Sequence, residues 1–214
     1  APIAPEVLEF FMGLGIPVYE VYGMTETSSY LTFNIIRHHL QNLSLEDQFK
    51  YKSKTGRPFM GVDLKVVDEK GNPVEADDTQ VGEIWVRGDT VTPGYWNLKQ
   101  ETEKAFSNGW LRTGDLAVVD TEGYVNIVDR KKDMIKTGGE NVSTREVEEA
   151  VYLDKRVEEV AVIGTPHPKW VEAVTAVVVP RQGETITEEE IVALCKKELA
   201  GFEVRKNVVL VEAV

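Results

Sequence analysis

Two Ser/Thr-x-x-Glu sequences constrain the fold more than any other feature. They are Ser143-Thr144-Arg145-Glu146 and Thr187-Glu188-Glu189-Glu190. In this pattern the hydroxyl accepts the third backbone N–H of a helix while the glutamate reaches back to the cap, so each one marks a helix start. Between them lie two apolar runs of strand length, Val157–Gly164 and Ala173–Val179, and a third, Val208–Val211, follows. Helix, strand, strand, helix, strand is the order of a small α+β unit with helices against an antiparallel sheet. Cys195 falls inside the second helix pattern, Ile191–Leu199, and is read as a packing residue.

Upstream of Asp129 the pattern changes to β. Val62–Val67 alternates and ends in the turn Asp68-Glu69-Lys70-Gly71-Asn72. Gly82–Gly88 carries a second strand, and Leu116–Val119 with Tyr124–Val128 reads as a hairpin around Thr121-Glu122-Gly123. Nearer the start, Pro5–Leu14 has a helical apolar face and Pro17–Val21 is strand-like. Residues 35–51 are polar, with no usable period, and receive no assignment. The boundary between the two parts is placed at Lys131–Asp133, giving parts 1–131 and 132–214.

Bulk properties exclude several function classes. The net charge of −12 opposes nonspecific binding to nucleic acid or to an anionic bilayer. No apolar run is long enough to span a membrane, and a single cysteine excludes an internal disulfide. These features, with no recognisable leader peptide, point to a cytoplasmic protein. His38, His39 and His167 show no spacing suited to a metal or to a nucleophile. The chain opens at Ala1-Pro2 without an initiator methionine and stops at Val214 just beyond a strand, so it is read as a piece of a longer polypeptide.

The residues with chemical potential fall in an ordered series: Tyr22-Gly23-Met24-Thr25-Glu26, Gly82–Gly88, Gly94-Tyr95-Trp96, Gly109-Trp110-Leu111-Arg112-Thr113-Gly114-Asp115, Asp129–Lys136 and Gly138-Gly139-Glu140-Asn141-Val142. On chemistry alone, Thr25 offers a hydroxyl to a phosphate oxygen and Glu26 a hard carboxylate oxygen to Mg²⁺. A helix-capping role for the same pair is the plainer reading. Asp115 at a tight turn suits a diol, or an Asx-turn. Arg130 suits an anion, or a surface salt bridge.

Taken in order, the series resembles the adenylate-forming superfamily of acyl-CoA synthetases, luciferases and peptide-synthetase adenylation domains, and covers nearly the whole chain. The resemblance implies the β-rich end of a large α/β adenylate-forming domain followed by a small mobile α+β domain. The implied activity converts a carboxylic acid, expected to be a medium- or long-chain fatty acid, to an acyl-adenylate with ATP and then to a coenzyme A thioester. It implies that Tyr22, Gly23 and Met24 lie at the nucleotide, with Tyr22 and Gly23 beside adenine, where Ala1 and Pro2 from a Gly-Ala-Pro element also lie. Thr25 would bind the α-phosphate, Glu26 the Mg²⁺, Asp115 the ribose hydroxyls of ATP and AMP, and Arg130 the ribose or phosphate. Lys132 would be the pivot, Gly138 and Gly139 would border the pantetheine arm of CoA, and Lys136 would serve the second half-reaction. Glu83 and Trp85 are read as fold residues.

The resemblance also implies a phosphate loop upstream and an adenylating lysine downstream of residues 208–211, both outside this sequence. The isolated chain is therefore expected to be inactive without the rest of its polypeptide. A carrier protein as acceptor is the competing reading within the superfamily, with luciferase-like oxidation behind it. A non-catalytic structural module is the competing reading outside it. Trp170-Val171-Glu172 departs from the family pattern, which has glycine at the Val171 position.

Overall fold

Alternation in residues 62–67 and 82–88 becomes a hydrogen-bonded antiparallel pair in the computed structural model, which describes residues 5–199 and 206–211. The chain divides into two compact units, Ala1–Val128 and Asp129–Val214. Three sheets and five α-helices are found among the described residues.

The first unit begins with α1 (Pro5–Gly13) and continues into three short strands, β1 (Val21–Tyr22), β2 (Thr32–Phe33) and β3 (Arg57–Pro58), which form one sheet in that order. The strand expected over residues 17–21 is thus shorter and later. Its pairing with β2 involves only Val21 opposite Phe33 and Tyr22 opposite Thr32. The unassigned stretch holds a 3-10 helix, His38–Asn42, and α2 (Leu45–Lys52). Ser44 caps α2 by accepting the Asp47 N–H at 3.1 Å, with Glu46 and Asp47 in the first turn and Lys50 and Lys52 in the last, which suits the helix dipole. Residues 35–51 lack periodicity because α2 buries no residue fully.

A second sheet runs β4 (Val62–Val67), β5 (Gly82–Gly88), β7 (Trp110–Val119), β6 (Phe106–Ser107), with β8 (Val125–Arg130) also on β7; α3 (Lys99–Ala105) precedes β6. One face is core, built on Val62, Val66, Ile84, Val86, Leu111, Ala117 and Val125. On the other face the register sets Lys65 beside Trp85 and Trp85 beside Arg112. Lys65 Nζ lies 4.9 Å from the Trp85 ring and 4.5 Å from Trp110, and the Arg87 guanidinium lies 4.5 Å from Trp110. Each such contact is worth about 0.5–1 kcal/mol at exposed sites. Trp85 therefore acts in the fold. Beneath the β7–β8 turn, Lys54 donates to Asp78 at 2.7 Å and to Asp120 at 2.8 Å. Asp120 also accepts the N–H groups of Glu122 and Tyr124, both at 2.9 Å.

The second unit carries β9 (Ile135–Thr137), β10 (Glu140–Val142), α4 (Thr144–Tyr152), β11 (Val157–His167), β12 (Val171–Pro180), α5 (Glu188–Glu198) and β13 (Lys206–Leu210). Its sheet runs β10-β9-β12-β11, and β13 adds to β12 in parallel. Both predicted caps are made. Ser143 accepts the Glu146 N–H at 3.3 Å. Thr187 and Glu190 form the full reciprocal box. The amphipathic faces of α4 and α5 cover the sheet through Val147, Val151, Ile191 and Cys195, all buried. The helix stop expected at Gly201 lies outside the described residues.

Val171, the departure from the family pattern, has φ +73 and is 74% exposed. A β-branched residue in this left-handed region costs about 1–3 kcal/mol, so the backbone here demands what glycine supplies. Replacing Val171 by Gly gives up little burial and is expected to stabilise the protein by about 1 kcal/mol after glycine's entropy cost is subtracted. Thermal unfolding measures this, and an unchanged or lowered midpoint would refute it.

Candidate active site

The segment Tyr22-Gly23-Met24-Thr25-Glu26 leaves β1 and folds back sharply. The Leu31 N–H returns to the Tyr22 carbonyl at 2.7 Å, and the N–H groups of Thr27 and Ser29 both donate to the Met24 carbonyl. The turn closes so tightly that a Cβ on Gly23 would lie 1.9 Å from the Ser29 carbonyl oxygen, which makes glycine obligatory there. Thr25, Glu26 and Thr27 form one 3-10 turn. The buried Thr27 hydroxyl donates to the Met24 carbonyl at 3.0 Å and accepts the Met24 N–H at 3.1 Å. Ser28 and Ser29 follow with φ of 52 and 79. Consecutive non-glycine residues in that region are strained, and such strain concentrates at functional sites. Thr25 is left exposed and Glu26 half-buried.

Asp115 reaches the same place from the second sheet. Opposite β5, the pairing steps from Glu83–Leu116 to Trp85–Arg112, so Thr113, Gly114 and Asp115 arch out of β7 as a wide bulge. Gly114 takes φ +76 at its crest. The Thr113 hydroxyl donates to the Ile84 carbonyl at 2.8 Å and accepts the Asp115 N–H at 3.1 Å, which fixes the bulge to the sheet. Bulges re-aim side chains in this way. The Tyr22 hydroxyl then donates to Asp115 Oδ2 at 2.5 Å, joining two segments 93 positions apart.

Of the residues singled out from the sequence, the first unit therefore brings Tyr22, Gly23, Met24, Thr25, Glu26 and Asp115 together. Ala1 and Pro2 lie outside the described residues. Arg130, Lys132, Lys136, Gly138 and Gly139 belong to the second unit. Lys132 occupies the centre of a turn in which the Asp133 and Met134 N–H groups donate to the Arg130 carbonyl. Exposed Lys136 sits on β9, its N–H donating to Glu172 Oε2 at 2.7 Å. Gly138 and Gly139 form the two-residue turn of the β9–β10 hairpin with φ of 62 and 92, a conformation that favours glycine at both positions.

Two residues escaped the sequence reading. Buried Asp129 accepts the Ser143 hydroxyl at 2.9 Å and the Thr144 N–H at 2.8 Å, tying the start of the second unit to α4. Tyr95 donates to Glu26 Oε1 at 2.9 Å. Both lie in segments that the motif series already contained, but no spacing rule joins residue 95 to residue 26.

Comparison with known proteins gives a class for this arrangement. The sequence pattern of the AMP-binding enzyme family matches residues 1–96, and that of the AMP-binding enzyme C-terminal domain matches residues 146–214. A long-chain-fatty-acid–CoA ligase of Thermus thermophilus is 46% identical over 182 residues, covering 85% of this chain and 34% of that protein. The o-succinylbenzoate CoA synthetase of Bacillus subtilis, solved with its acyl-adenylate intermediate, superposes with a TM-score of 0.86 at 31% identity, over 100% of this chain and 41% of that one. The same synthetase solved with ATP and magnesium ion gives a TM-score of 0.83 at 30% identity, over 100% and 42%. The chain belongs to the AMP-binding enzyme family of adenylate-forming enzymes. It spans 34% of the length of the first of these relatives and 41–42% of the other.

Proposed function

We propose that this chain supplies part of an acid–CoA ligase, which activates a carboxylic acid as its acyl-adenylate and transfers the acyl group to coenzyme A. The hydrogen bond between Tyr22 and Asp115 carries the reading, because it joins the two segments expected to hold a nucleotide. A carboxylate has lone pairs enough to accept both the phenol and a ribose diol. Asp115 accepts the ribose hydroxyls of ATP and AMP. Tyr22 and Gly23 border adenine, with Ala1 and Pro2 completing that wall, and Met24 lies at the nucleotide. Thr25 donates its exposed hydroxyl to the α-phosphate.

Glu26 suits Mg²⁺. It is a hard oxygen donor, half-buried, and has no cationic partner among the described residues. Mg²⁺ is commonly held by one or two carboxylates together with substrate phosphates, so the absence of a cluster of three metal-ligating side chains among the described residues is no obstacle. When bound, the ion neutralises phosphate charge.

In the first half-reaction a carboxylate oxygen of the acid attacks the α-phosphorus, an acyl–phosphate bond forms, and pyrophosphate leaves. In the second, the thiol sulfur of CoA attacks the acyl carbon and loses its proton, a thioester forms, and AMP leaves. The protein contributes positioning and charge complementarity. Residues 132–214, within the second unit, are read as the small domain that swings about Lys132 between the half-reactions; Arg130 reaches the nucleotide, Lys136 serves thioester formation, and Gly138 and Gly139 border the pantetheine arm. The Thermus relative supports a medium- or long-chain fatty acid as substrate, and the Bacillus relative makes an aromatic acid the contender. A cytoplasmic enzyme is part of the same reading; no helix of the described residues is long and apolar enough to cross a membrane.

The test is acid-dependent exchange of pyrophosphate into ATP by the full natural polypeptide, with fatty and aryl acids compared and CoA added afterwards. Exchange with a fatty acid followed by CoA consumption is expected. No exchange with any acid would overturn the ligase reading; exchange without CoA consumption would favour a carrier-protein acceptor.

A further inference from the structure

Glu26 is held from two directions by one loop of the first unit. The loop leaves β5 at Gly88 and reaches α3 at Lys99. Its Thr92 N–H donates to the Glu26 carbonyl at 2.7 Å, and its Thr90 carbonyl accepts the Ser28 hydroxyl at 3.0 Å. The first bond holds the backbone of the 3-10 turn, and the second holds its C-cap residue Ser28 through the side chain. The Tyr95 hydroxyl then donates to Glu26 Oε1 at 2.9 Å, engaging one carboxylate oxygen on the side chain itself.

Tyr95 is a stiff support for such a bond. Its N–H donates to the Thr102 hydroxyl at 2.9 Å, and that hydroxyl donates in turn to the Leu98 carbonyl at 3.0 Å. Gly94 before it has φ +155, and a Cβ there would lie 2.6 Å from Thr102 Cγ2, so Gly94 and Thr102 pack without space for a side chain. The Thr92 hydroxyl donates to the Gly94 carbonyl at 2.9 Å, closing the loop on itself. The phenol's own chemistry agrees. A phenol stays protonated across the neutral range and donates through its O–H. A neutral phenol cannot neutralise Glu26. It can only orient it.

We propose that Tyr95 is a positioning residue for cation binding: by occupying Oε1 of Glu26 it fixes the carboxylate rotamer so that the other oxygen is presented to the divalent cation accompanying the nucleotide. This rests on the reading of Glu26 as the Mg²⁺ ligand given above. Such outer partners orient the ligand and commonly change metal affinity by 10–100-fold when removed. The phenol is thus conceived as setting cation affinity while leaving nucleotide affinity without metal untouched.

The experiment compares the full natural polypeptide with its Tyr95→Phe, Glu26→Gln and double variants. Mn²⁺ is used as the probe. Its apparent dissociation constant is measured by electron paramagnetic resonance in the presence of a non-hydrolysable ATP analogue, and AMP binding is measured separately by calorimetry in chelator. Tyr95→Phe is expected to weaken Mn²⁺ about tenfold, with AMP affinity in chelator and the thermal midpoint unchanged. In the Glu26→Gln background the same change is expected to do nothing further, because the two residues act on one site. Unchanged Mn²⁺ affinity in Tyr95→Phe, while Glu26→Gln weakens it, overturns the proposal and leaves the function intact. Equal weakening by Tyr95→Phe in both backgrounds, or a loss of AMP affinity in chelator, also overturns it, since the loop would then act only as structure. Full Mn²⁺ affinity in Glu26→Gln overturns the reading of Glu26 on which the proposal rests.

Discussion

Asp115→Ala is expected to weaken AMP binding by about a hundredfold or more in the full natural polypeptide. The carboxylate would make two charge-assisted hydrogen bonds to the ribose diol, each worth roughly 1.5–3 kcal/mol when its partner is lost. The bulge that carries it depends on Thr113, whose hydroxyl bridges the Ile84 carbonyl and the Asp115 N–H, and so survives the substitution. The Tyr22 phenol loses its acceptor, but Tyr22 is only half-buried and can turn to water at a cost of about 1 kcal/mol. Binding and folding are therefore separable here. Asp115→Asn keeps the shape and removes the charge, and should fall between the two, near tenfold. Calorimetric titration reads both. If the alanine variant bound AMP like the parent, the ribose would lie elsewhere and the nucleotide reading of this site would fall with it.

Lys54→Met should destabilise the protein by about 3 kcal/mol without touching the site, at the lower end of what breaking a buried ion pair costs. The Lys54 side chain is 12% exposed, and the Asp120 carboxylate beneath it 10%. Removing the ammonium strands a buried negative charge, although the Glu122 and Tyr124 N–H groups still solvate one of its oxygens. The same pair predicts a pH dependence. Burial opposes the lysine's charge, but the hydrogen bonds it donates to Asp120 and Asp78, and their negative charges, more than offset it, so the pKa is raised on folding. A cation with a raised folded pKa stabilises fully below its unfolded value, and that stability is lost as pH climbs through the folded value, here above the ordinary 10.5. Urea unfolding at neutral pH and at alkaline pH measures both effects. A loss under 1 kcal/mol at neutral pH would show that the network is a surface ornament rather than a buried clamp.

The second unit was written openly in the sequence. Its helices begin at Ser143 and Thr187, where hydroxyl and glutamate stand at capping distance, and β11 and β12 contain apolar runs of strand length. The short strands were not legible. Two or three residues, as in β1, β2 and β9, carry no period, and their pairing partners decide them. Residues 35–51 hid α2 because nothing on that helix is fully buried, although Ser44 stood ready as a cap. At the site, Tyr22–Glu26 and Asp115 were visible as ordered motifs, while their meeting was not, since the bond that joins them crosses from one sheet to another. Tyr95 and Asp129 show the same limit: each was present in a recognised segment, and each acts through a partner far along the chain.

The bulge on β7 has a consequence for how this family can vary. Between the pairs Glu83–Leu116 and Trp85–Arg112, β7 holds two residues more than β5. Side chains alternate with period two, so an even surplus leaves Leu111 and Ala117 both facing the core. A change in its length must be absorbed within the arch, as bulges absorb an extra residue by a local bend, for both flanks to keep their apolar side chains inward. The arch can therefore exchange its side chains one at a time, and with them what it presents beside Tyr22, while the sheet beneath it stays as it is.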